Sequence, residues 1–283
     1  HTYSKTFNHN WNDAPRTGEF VAHRGTGEWT RHTAGDGSLT LTNSNKAAIG
    51  QAKRTVLVGN GDVTTAGHEL HGEFSHIKAA GFLDVRIRVD HSRDSGPTKA
   101  TIIAEGVALD KIKPKIDEKG LSIGIDGEHD YSLNHQPVVL LEVPKNKVNS
   151  AEFTDASTGL LGGFDNNLFH LNANGSTQVH FQAQPKTLKA STTGEARLST
   201  GIDAENVTFT ATDRSFISSA AKHADVNLDG SADVIFSGPE TLTGQCNGNC
   251  ELNYDGSPQV TLSGSRAKAI VESNSNKTDT FNF

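Results

Sequence analysis

The sequence predicts an all-β fold, with a parallel β-solenoid as its main domain and a β-rich extension at its N-terminus. Short segments of alternating apolar and polar residues recur every 16 to 20 residues in the C-terminal third of the chain, and a period of two is typical of strands with one buried face. Gly is frequent, with 28 residues, whereas aromatic residues make up only 6% of the chain. This composition favours many short strands joined by tight turns, because Gly and Asn readily adopt the positive φ angles that such turns need.

The repeated segments, which we call the ladder, span residues 168–265. Its strands are predicted to begin at Leu168, Leu188, Val207, Val226, Leu242 and Val260. Near-constant spacing favours a solenoid, in which each coil buries its apolar face only when the next coil covers it; a β-sandwich of short hairpins is the alternative. The predicted core residues of the ladder are Leu171, Val179, Phe181, Leu188, Leu198, Val207, Phe209, Val226, Leu228, Val234, Phe236, Leu252 and Val260.

Residues 1–52 form the predicted N-terminal extension, and residues 53–283 form the unit that contains the ladder. Alternating segments at residues 19–22 and 38–42 predict short strands in the extension. We interpret the first strand-like segment as an assembly arm, since an unpaired strand is a template for pairing with another chain. The arm consists of Thr2, Tyr3, Ser4, Lys5, Thr6 and Phe7.

Between the extension and the ladder, the sequence predicts further strands and little helix. Residues 82–89 alternate apolar residues with Asp84, Arg86 and Arg88, which predicts a strand with one buried face. Residues 138–143 are apolar on both faces, as in a strand at the middle of a core. Helical periodicity occurs at residues 107–116, where Pro114 limits it to about two turns.

Charge and hydropathy exclude two classes of partner. The formal net charge is −7, which argues against nucleic acid, because binding to it requires a basic face. No segment approaches the roughly 18 apolar residues of a membrane-spanning helix. The chain begins at His1 and contains no Met, so we expect an extracellular or cell-surface protein whose signal peptide has been removed. Glycosylation sequons at Asn174, Asn206 and Asn276 are compatible with that location.

The two cysteines predict a local disulfide. Cys246 and Cys250 are separated by Asn-Gly-Asn, a flexible insert that allows a small closed loop in an oxidising compartment. A loop this short fixes one turn and adds little global stability. A zinc site is the alternative, but two thiols without a second pair fall short of a tetrahedral shell.

Two patterns raise the question of a metal site. A processed His1 would bind copper through its amine and imidazole if a second His, for which His9, His23 and His32 are available, contributed a nitrogen. The first half of a calcium loop is matched by Asp225, Asn227, Asp229 and Asp233. Phe236 occupies the position where that loop needs Glu, and the alternating apolar residues favour a strand, turn and strand. We therefore expect neither metal nor cofactor.

The sequence contains no recognisable catalytic motif. It lacks a Gly-x-Ser-x-Gly elbow, a P-loop, a Rossmann fingerprint and the helical zinc motif His-Glu-x-x-His. Carboxylates such as Asp110 and Asp117 would serve as a glycosidase pair only in a cleft of defined geometry. A non-enzymatic protein is therefore predicted.

The order of several elements resembles that of the GIN-type domain family, described as "putative autotransporter adhesin head domain". The elements are Gly59-Asn-Gly61, Phe74 with Ile77, residues 83–87, residues 121–123, Tyr254-Asp-Gly256-Ser-Pro258 and Ser263-Gly264-Ser265. The resemblance covers about residues 58–271, although Cys246 and Cys250 replace the usual Ser-Gly turn residues. It implies a right-handed parallel β-helix or a pair of β-helical layers, and it implies no catalytic residues.

Together, the ladder and the resemblance predict a secreted or cell-surface structural or adhesive protein. Open sheet edges at the ends of a solenoid must be capped or must pair with another copy. Pairing through the arm would build a head-to-tail filament, so self is the predicted partner and surface glycans are a second class. The alternative is a carbohydrate-binding or carbohydrate-active protein, because β-helices host many polysaccharide-active enzymes, but the low aromatic content argues against it.

Overall fold

A computed structural model describes residues 9–22, 29–33, 39–43, 53–200, 204–264 and 270–272. Strands make up 60% of the structure and helix 2%, and stacked coils form a β-solenoid of about 6 turns. The predicted all-β, solenoid-like fold is confirmed.

The described residues contain one short helix, α1 (Gly106–Leu109), and many short strands. The strands are β1 (Thr17–Ala22), β2 (Trp29–Thr33), β3 (Leu39–Asn43), β4 (Lys53–Val58), β5 (Val63–Leu70), β6 (His76–Ala79), β7 (Asp84–Asp90), β8 (Thr98–Glu105), β9 (Lys115–Asp117), β10 (Gly120–Ile123), β11 (Asp130–His135), β12 (Val138–Pro144), β13 (Ser150–Phe153), β14 (Thr158–Gly162), β15 (Leu168–Ala173), β16 (Gln178–Gln182), β17 (Thr187–Thr192), β18 (Arg197–Thr200), β19 (Ala204–Ala211), β20 (Phe216–Gly230), β21 (Asp233–Ser237), β22 (Thr241–Gly248), β23 (Glu251–Tyr254), β24 (Gln259–Ser263) and β25 (Ile270–Glu272).

Each coil contributes one strand to each of two parallel sheets that enclose the core. Sheet 1 runs β10, β6, β13, β15, β17, β19, β20, β22 and β24 in spatial order. Sheet 2 runs β12, β7, β14, β16, β18, β20, β21, β23 and β25. The long strand β20 serves both, since residues 216–220 pair in sheet 2 and residues 221–230 pair in sheet 1. Equivalent positions of successive coils therefore line up in columns.

The inward columns form the hydrophobic core. One column in sheet 2 consists of Val179, Leu198, Ile217, Val234 and Leu252, all of them buried. Of the 13 predicted core residues of the ladder, 12 are buried. The exception is Val260, which is 39% exposed because no later coil covers it within the described part of the chain.

The turn from sheet 1 to sheet 2 repeats one backbone conformation from coil to coil. Its left-handed residues, with φ between 59° and 73°, are Asp155, Gly175, Gly194, Asp213 and Gly230. The carbonyl of each of these five residues accepts a hydrogen bond of 2.7 to 3.0 Å from the next coil. Asp155 Oδ2 and Asp213 Oδ2 also accept from the N–H of Gly81 and Gly194, both at 2.9 Å. These side-chain hydrogen bonds also join neighbouring coils, so the turns reinforce the stacking of the coils.

The N-terminal end of the solenoid is covered by an insertion between β7 and β13. Strands β10 and β12 form a coil that stacks on β6 and β7, although they follow them in sequence. Beyond this coil, β8 and β5 extend sheet 2 in antiparallel pairing, and β9 extends sheet 1. The sequence predicted at most about two helical turns within residues 107–116. Helix α1 is a single turn that ends at Leu109, and Lys115–Asp117, directly after Pro114, is a strand, since Pro cannot continue a helix.

The N-terminal strands belong to a third sheet with the order β1, β11, β4, β3, β2. Strand β11 comes from the insertion and pairs with β1 and β4. Strands from both sides of residue 52 thus share one sheet. The division of the chain at residue 52 stays a prediction.

Glu105, at the end of β8, fastens the third sheet to the solenoid. Its side chain is fully buried and accepts four hydrogen bonds. Gly61 N (2.6 Å) and Asn134 Nδ2 (3.0 Å) donate to Oε1, and Asn134 N (2.7 Å) and His135 N (3.0 Å) donate to Oε2. Burial alone would raise the pKa of Glu105, but these hydrogen bonds outweigh it and lower the pKa. The site therefore requires an ionised carboxylate.

We expect Glu105→Gln to destabilise the protein by about 1–3 kcal/mol at neutral pH, because the Gln amide would direct its own N–H groups at donors. The folded-state pKa lies below the ordinary value of 4.5. The ionised Glu105 therefore stabilises the wild-type protein fully above pH 4.5. This stabilisation is lost as the pH falls through the pKa of Glu105 in the folded state. Urea unfolding at several pH values should show the difference between wild type and variant shrinking in acid. Glu118→Gln, at an exposed turn, is the control; an equal effect of both changes would contradict the prediction.

We expect Gly244→Ala to cost about 2 kcal/mol or more in the free energy of unfolding. Gly244 has a φ of +144°, and an added Cβ would overlap the carbonyl oxygen of Val226 in the adjacent coil. Urea unfolding checks this, with Gly67→Ala as the matched control. A Cβ at Gly67 meets nothing within 4 Å, so that change should stay within about 1 kcal/mol of the wild type. Equal stability of the two variants would contradict the overlap between a Cβ at position 244 and the Val226 carbonyl oxygen.

Candidate functional site

The outer face of sheet 2 carries two charged residues that are almost completely buried. Asp84 and Arg86 of β7 are 0% and 1% exposed. Arg86 Nε and Nη2 donate to Asp84 Oδ2 at 3.1 and 2.9 Å. The prediction that this strand buries only one face was therefore wrong for its first half. The cover is the N-terminal segment of residues 9–16, which we call the strap.

The strap is held to β7 by its backbone and by His9. Arg86 Nη1 donates to the main-chain carbonyls of Trp11 (2.9 Å) and Asp13 (2.6 Å). His9 Nε2 lies 2.9 Å from Asp84 Oδ1, and both side chains are buried. Buried charges need paired and hydrogen-bonded partners. The strap supplies such partners to a pair that would otherwise face solvent.

Aromatic and electrostatic contacts extend this interface. The guanidinium of Arg88 lies over the Trp11 ring, with Cζ 4.1 Å from the ring centroid, an arrangement that is attractive through the ring quadrupole. Burial, together with the charge of His9, lowers the pKa of His180 in β16. His180 is therefore neutral at neutral pH and adds no cation to this face.

A polar cleft of about 610 Å³ lies where the loops around β6, β9 and β12 meet. Its charged lining includes Asp94, Asp117, Glu118, Lys119, Lys145 and Lys147. Lys145 Nζ pairs with Asp94 Oδ1 at 2.7 Å. Lys147 Nζ donates to Gly72 O at 3.0 Å and lies 4.6 Å from the Phe74 ring centroid. Acidic and basic side chains are mixed in this lining, so the cleft does not present charge of one sign to a ligand.

His76 at the edge of this cleft contacts two polar residues of β13. Its Nδ1 is hydrogen-bonded to the Ser150 hydroxyl, and its Nε2 lies 3.7 Å from Glu152 Oε2. The three residues occupy neighbouring parallel strands on the outer face of sheet 1. This arrangement is a cross-strand polar contact, since the Glu152 distance is too long for a hydrogen bond.

Among the residues that the structure describes, the last coil of the solenoid leaves one edge of each sheet without a paired strand. Within the described ranges, β24 pairs only with β22 and β25 pairs only with β23. Val260 continues the inward column of Leu242 but is 39% exposed, and Leu262 is half-buried against the core. An open edge beside apolar side chains is a template for another strand.

The structure contains a disulfide between Cys246 and Cys250, next to this open end. The two Cα atoms are 6.1 Å apart, and both residues are buried. Cys246 is aligned with the inward residue Leu228, and Cys250 precedes β23 directly. The bridge therefore closes the corner of the coil between sheet 1 and sheet 2 from the inside.

The residues proposed for a calcium loop are not brought together. Asp225, Asn227 and Asp229 follow one another along the outer face of β20, whereas Asp233 lies in β21 of the other sheet. Asp225 accepts a hydrogen bond from the Thr243 hydroxyl (3.0 Å) and Asn227 accepts one from Gln245 Nε2 (2.8 Å) in the next coil. The strand, turn and strand interpretation is the one that the structure supports. No group of three or more His, Cys, Asp or Glu suited to a metal occurs in the described ranges.

Two of the other predicted sites, Asn174 and Asn206, lie in the described part of the chain, and the rest lie outside it. Asn174 is half-buried in the turn after β15, and Asn206 is exposed in β19. The arm (Thr2 to Phe7), His1 and Asn276 lie outside the described residues. No helix in the described part of the chain is long and apolar enough to cross a membrane.

These features define a β-solenoid that is capped at its N-terminal end, strapped along sheet 2 and open at its last described coil. The family described as "Putative auto-transporter adhesin, head GIN domain" matches residues 73–258. The chain belongs to this family, and the predicted resemblance is confirmed.

Solved structures of low sequence identity share the fold. A putative adhesin from Bacteroides fragilis NCTC 9343 is 15% identical with a TM-score of 0.62, and one from Parabacteroides merdae ATCC 43184 is 15% identical with a TM-score of 0.55. Both alignments cover 77% of this chain and 98% of the other. A putative lipid binding protein from Parabacteroides distasonis ATCC 8503 is 13% identical, with a TM-score of 0.56 over 77% of this chain and 99% of that chain. No functionally curated protein matches significantly.

The sequence analysis did not predict the strap or its contacts with Asp84 and Arg86 of β7. His9 was considered only as an additional copper ligand for His1, and Asp84 and Arg86 were assigned to a solvent-facing side. Their partners lie more than 70 residues away in sequence, and no local pattern signals such a contact. The one available signal was the Asp-x-Arg-x-Arg alternation of β7, which concentrates charge on one face of a strand.

We expect replacement of both Cys246 and Cys250 by Ala to loosen the last coils and leave the middle of the solenoid unchanged. The closed loop is short, so the entropic stabilisation is at most about 2 kcal/mol. Hydrogen exchange should accelerate in β22 and β23 but not in β15 to β18. The wild type under reducing conditions is the matched comparison and should behave in the same way. Loss of protection throughout the solenoid would contradict a local role.

Proposed function

We propose that the protein is a non-enzymatic, adhesin-like protein of the cell surface or extracellular space that associates head to tail with further copies of itself. The family description and the names of two structural neighbours support the adhesin-like role and that location. A stack of parallel coils is a stiff rod, because each coil is hydrogen-bonded to its neighbours along both sheets. Such a rod suits a protein that presents or extends a surface.

The difference between the two ends of the solenoid carries the proposal. At the N-terminal end, which the insertion covers, the edge segment of sheet 1 contains Lys113, Pro114 and Lys115. Lys and Pro at a sheet edge obstruct pairing with other chains. The C-terminal edge strand Gln259–Ser263 contains neither residue. Two unlike ends favour a heterologous contact, and repetition of such a contact builds a filament.

Main-chain groups at this edge define what the incoming strand would bind. Gln259 N donates to Glu240 O at 2.9 Å, towards the preceding coil. Successive residues of a strand direct their N–H groups to opposite sides, so the N–H groups of Val260 and Leu262 face the open edge. We assign the arm of another copy as the strand that accepts these hydrogen bonds.

Deletion of residues 1–7 is expected to abolish the assembly. The deletion stops before His9 because the strap from His9 onwards packs on the solenoid of its own chain. Size-exclusion chromatography with light scattering and negative-stain electron microscopy would measure the change. Assemblies of unchanged size would refute the arm as the pairing strand.

Val260→Pro tests the acceptor edge in the same assay. The substitution removes an N–H that faces the open edge and adds a ring there, while the hydrogen bond from Gln259 to the preceding coil stays. It should reduce assembly as far as the arm deletion does. Thr261→Ala, which keeps the backbone of the edge intact, is the matched control and should assemble normally.

The carbohydrate alternative has less support. Phe74, the one Phe, Tyr or Trp lining the polar cleft, is buried beneath the Lys147 ammonium, so its ring is not available for stacking on a sugar. Surface glycans as partners stay a prediction. A polysaccharide depletion assay separates this alternative from self-association, since glycan binding would persist after the arm deletion.

A further inference from the structure

Strand β5 is the outermost described strand of sheet 2 at the N-terminal end of the solenoid. All eight of its residues pair with β8 in continuous register, and no other described strand pairs with β5. Five of these residues are exposed, none is Lys, Arg or Pro, and the one carboxylate, Glu69, is the last residue but one. A long edge strand without a bulge, Lys or Pro is a template for another chain. The edge segment of sheet 1, with Lys113, Pro114 and Lys115, is by contrast obstructed.

The direction of β5 matches that of the coil strands. Strand β5 is antiparallel to β8, and β8 is antiparallel to β12. The two reversals cancel, so β5 runs in the same direction as β12, β7 and the later strands of sheet 2. Sheet 1 differs, because the single strand β9 that extends it is antiparallel to β10. Of the two sheets, sheet 2 therefore begins with an edge that has the direction of a further coil.

The last described coil presents the complementary edge of sheet 2. Strand β25 pairs in parallel with β23, and no described strand pairs with its other side. A second copy displaced along the axis of the stack brings its β5 next to β25, and the two strands are then parallel. Parallel pairing also joins each coil of sheet 2 to the next. The junction thus needs no type of strand pairing that the stack does not already use.

Gly67 in β5 has no explanation within a single copy. Its φ lies outside the left-handed range, and an added Cβ would meet nothing within 4 Å. Glycine weakens a strand through its conformational freedom, and inside strands it often marks a place where another backbone approaches closely. The described part of this chain supplies no such backbone at Gly67, whereas the edge strand of a second copy would.

We propose that β5 is a pairing edge for a second copy of this chain and that its occupant is β25 of that copy. This inference rests on the proposed head-to-tail association and adds a second pairing to it. In sheet 1 the arm of the incoming copy pairs with β24, and in sheet 2 its β5 pairs with β25. Both pairings join the N-terminal end of one copy to the C-terminal end of the next, so sheet 2 continues across the junction.

Hydrogen exchange of the wild type tests this contact without any substitution in β5. The assembled protein is compared with the same protein diluted until it is monomeric. Alternate N–H groups of β5 face the open edge, and a strand paired there would protect them. They should exchange about tenfold or more slowly in the assembly. The N–H groups of β17, in the middle of the solenoid, are the internal control and should exchange equally in both samples.

A substitution at the edge provides the second test. Thr65 is exposed in β5, and Thr65→Lys adds an ammonium group of the kind that obstructs strand pairing without removing a backbone N–H. It should raise the concentration needed for assembly about tenfold or more, as measured by size-exclusion chromatography with light scattering. Thr210→Lys makes the same change at an exposed residue of β19 and should assemble normally. Circular dichroism checks the fold of both variants.

The outcomes separate this inference from the proposed function. Assembly that depends on residues 1–7, with unchanged exchange in β5 and normal assembly of Thr65→Lys, would overturn the β5 contact and uphold the arm. Protection of β5 in an assembly that survives the deletion of residues 1–7 would do the reverse. A wild type that stays monomeric at every concentration would overturn both.

Discussion

The fold depends on one constraint, which is that an inward side chain of one coil is shielded from water only by the coils stacked above and below it. The column of Val179, Leu198 and Ile217 satisfies the constraint because successive strands pair in register. The left-handed turns with Asp155 and Asp213 add hydrogen bonds between coils at the corners. The same constraint leaves the inward side chains at both ends of the stack partly uncovered, since they have a neighbouring coil on one side only. The insertion covers the inward side chains at the N-terminal end, whereas Val260 in the last described coil is 39% exposed.

The sequence predicts the middle of the solenoid well because the information there is local. Alternation along residues 226–236 specifies which side chains point inward, and the spacing of Leu188, Val207 and Val226 places one coil on the next. Val260 shows where this reasoning stops. Its pattern is that of a core residue and its column is the predicted one, yet it is 39% exposed. Burial of a repeat residue depends on whether a further coil follows, and the residue itself does not encode this.

The ends were harder to predict because their interactions join residues far apart in sequence. Glu105 collects hydrogen bonds from residues 61, 134 and 135, and Arg86 binds the strap across more than 70 residues. Arg86 lies in a strand that was predicted from the apolar alternation around it. Its charged side chain was assigned to solvent, which is the usual environment of Arg. Non-local hydrogen bonds reverse that assignment, and the strap contacts of the candidate functional site are among them.

The order of the capping coil in the chain also constrains how the protein can fold during synthesis. Strands β6 and β7 belong to a coil whose N-terminal neighbour is made by β10 and β12, and these emerge from the ribosome later. The first coil therefore stays half uncovered until residue 144 is available, whereas every later coil docks on one that is already complete. Closing the cap joins segments separated by more than 40 residues, and such contacts form more slowly than those between adjacent coils. We therefore expect the coil of β10 and β12 to dock more slowly than the coils that follow one another directly in sequence.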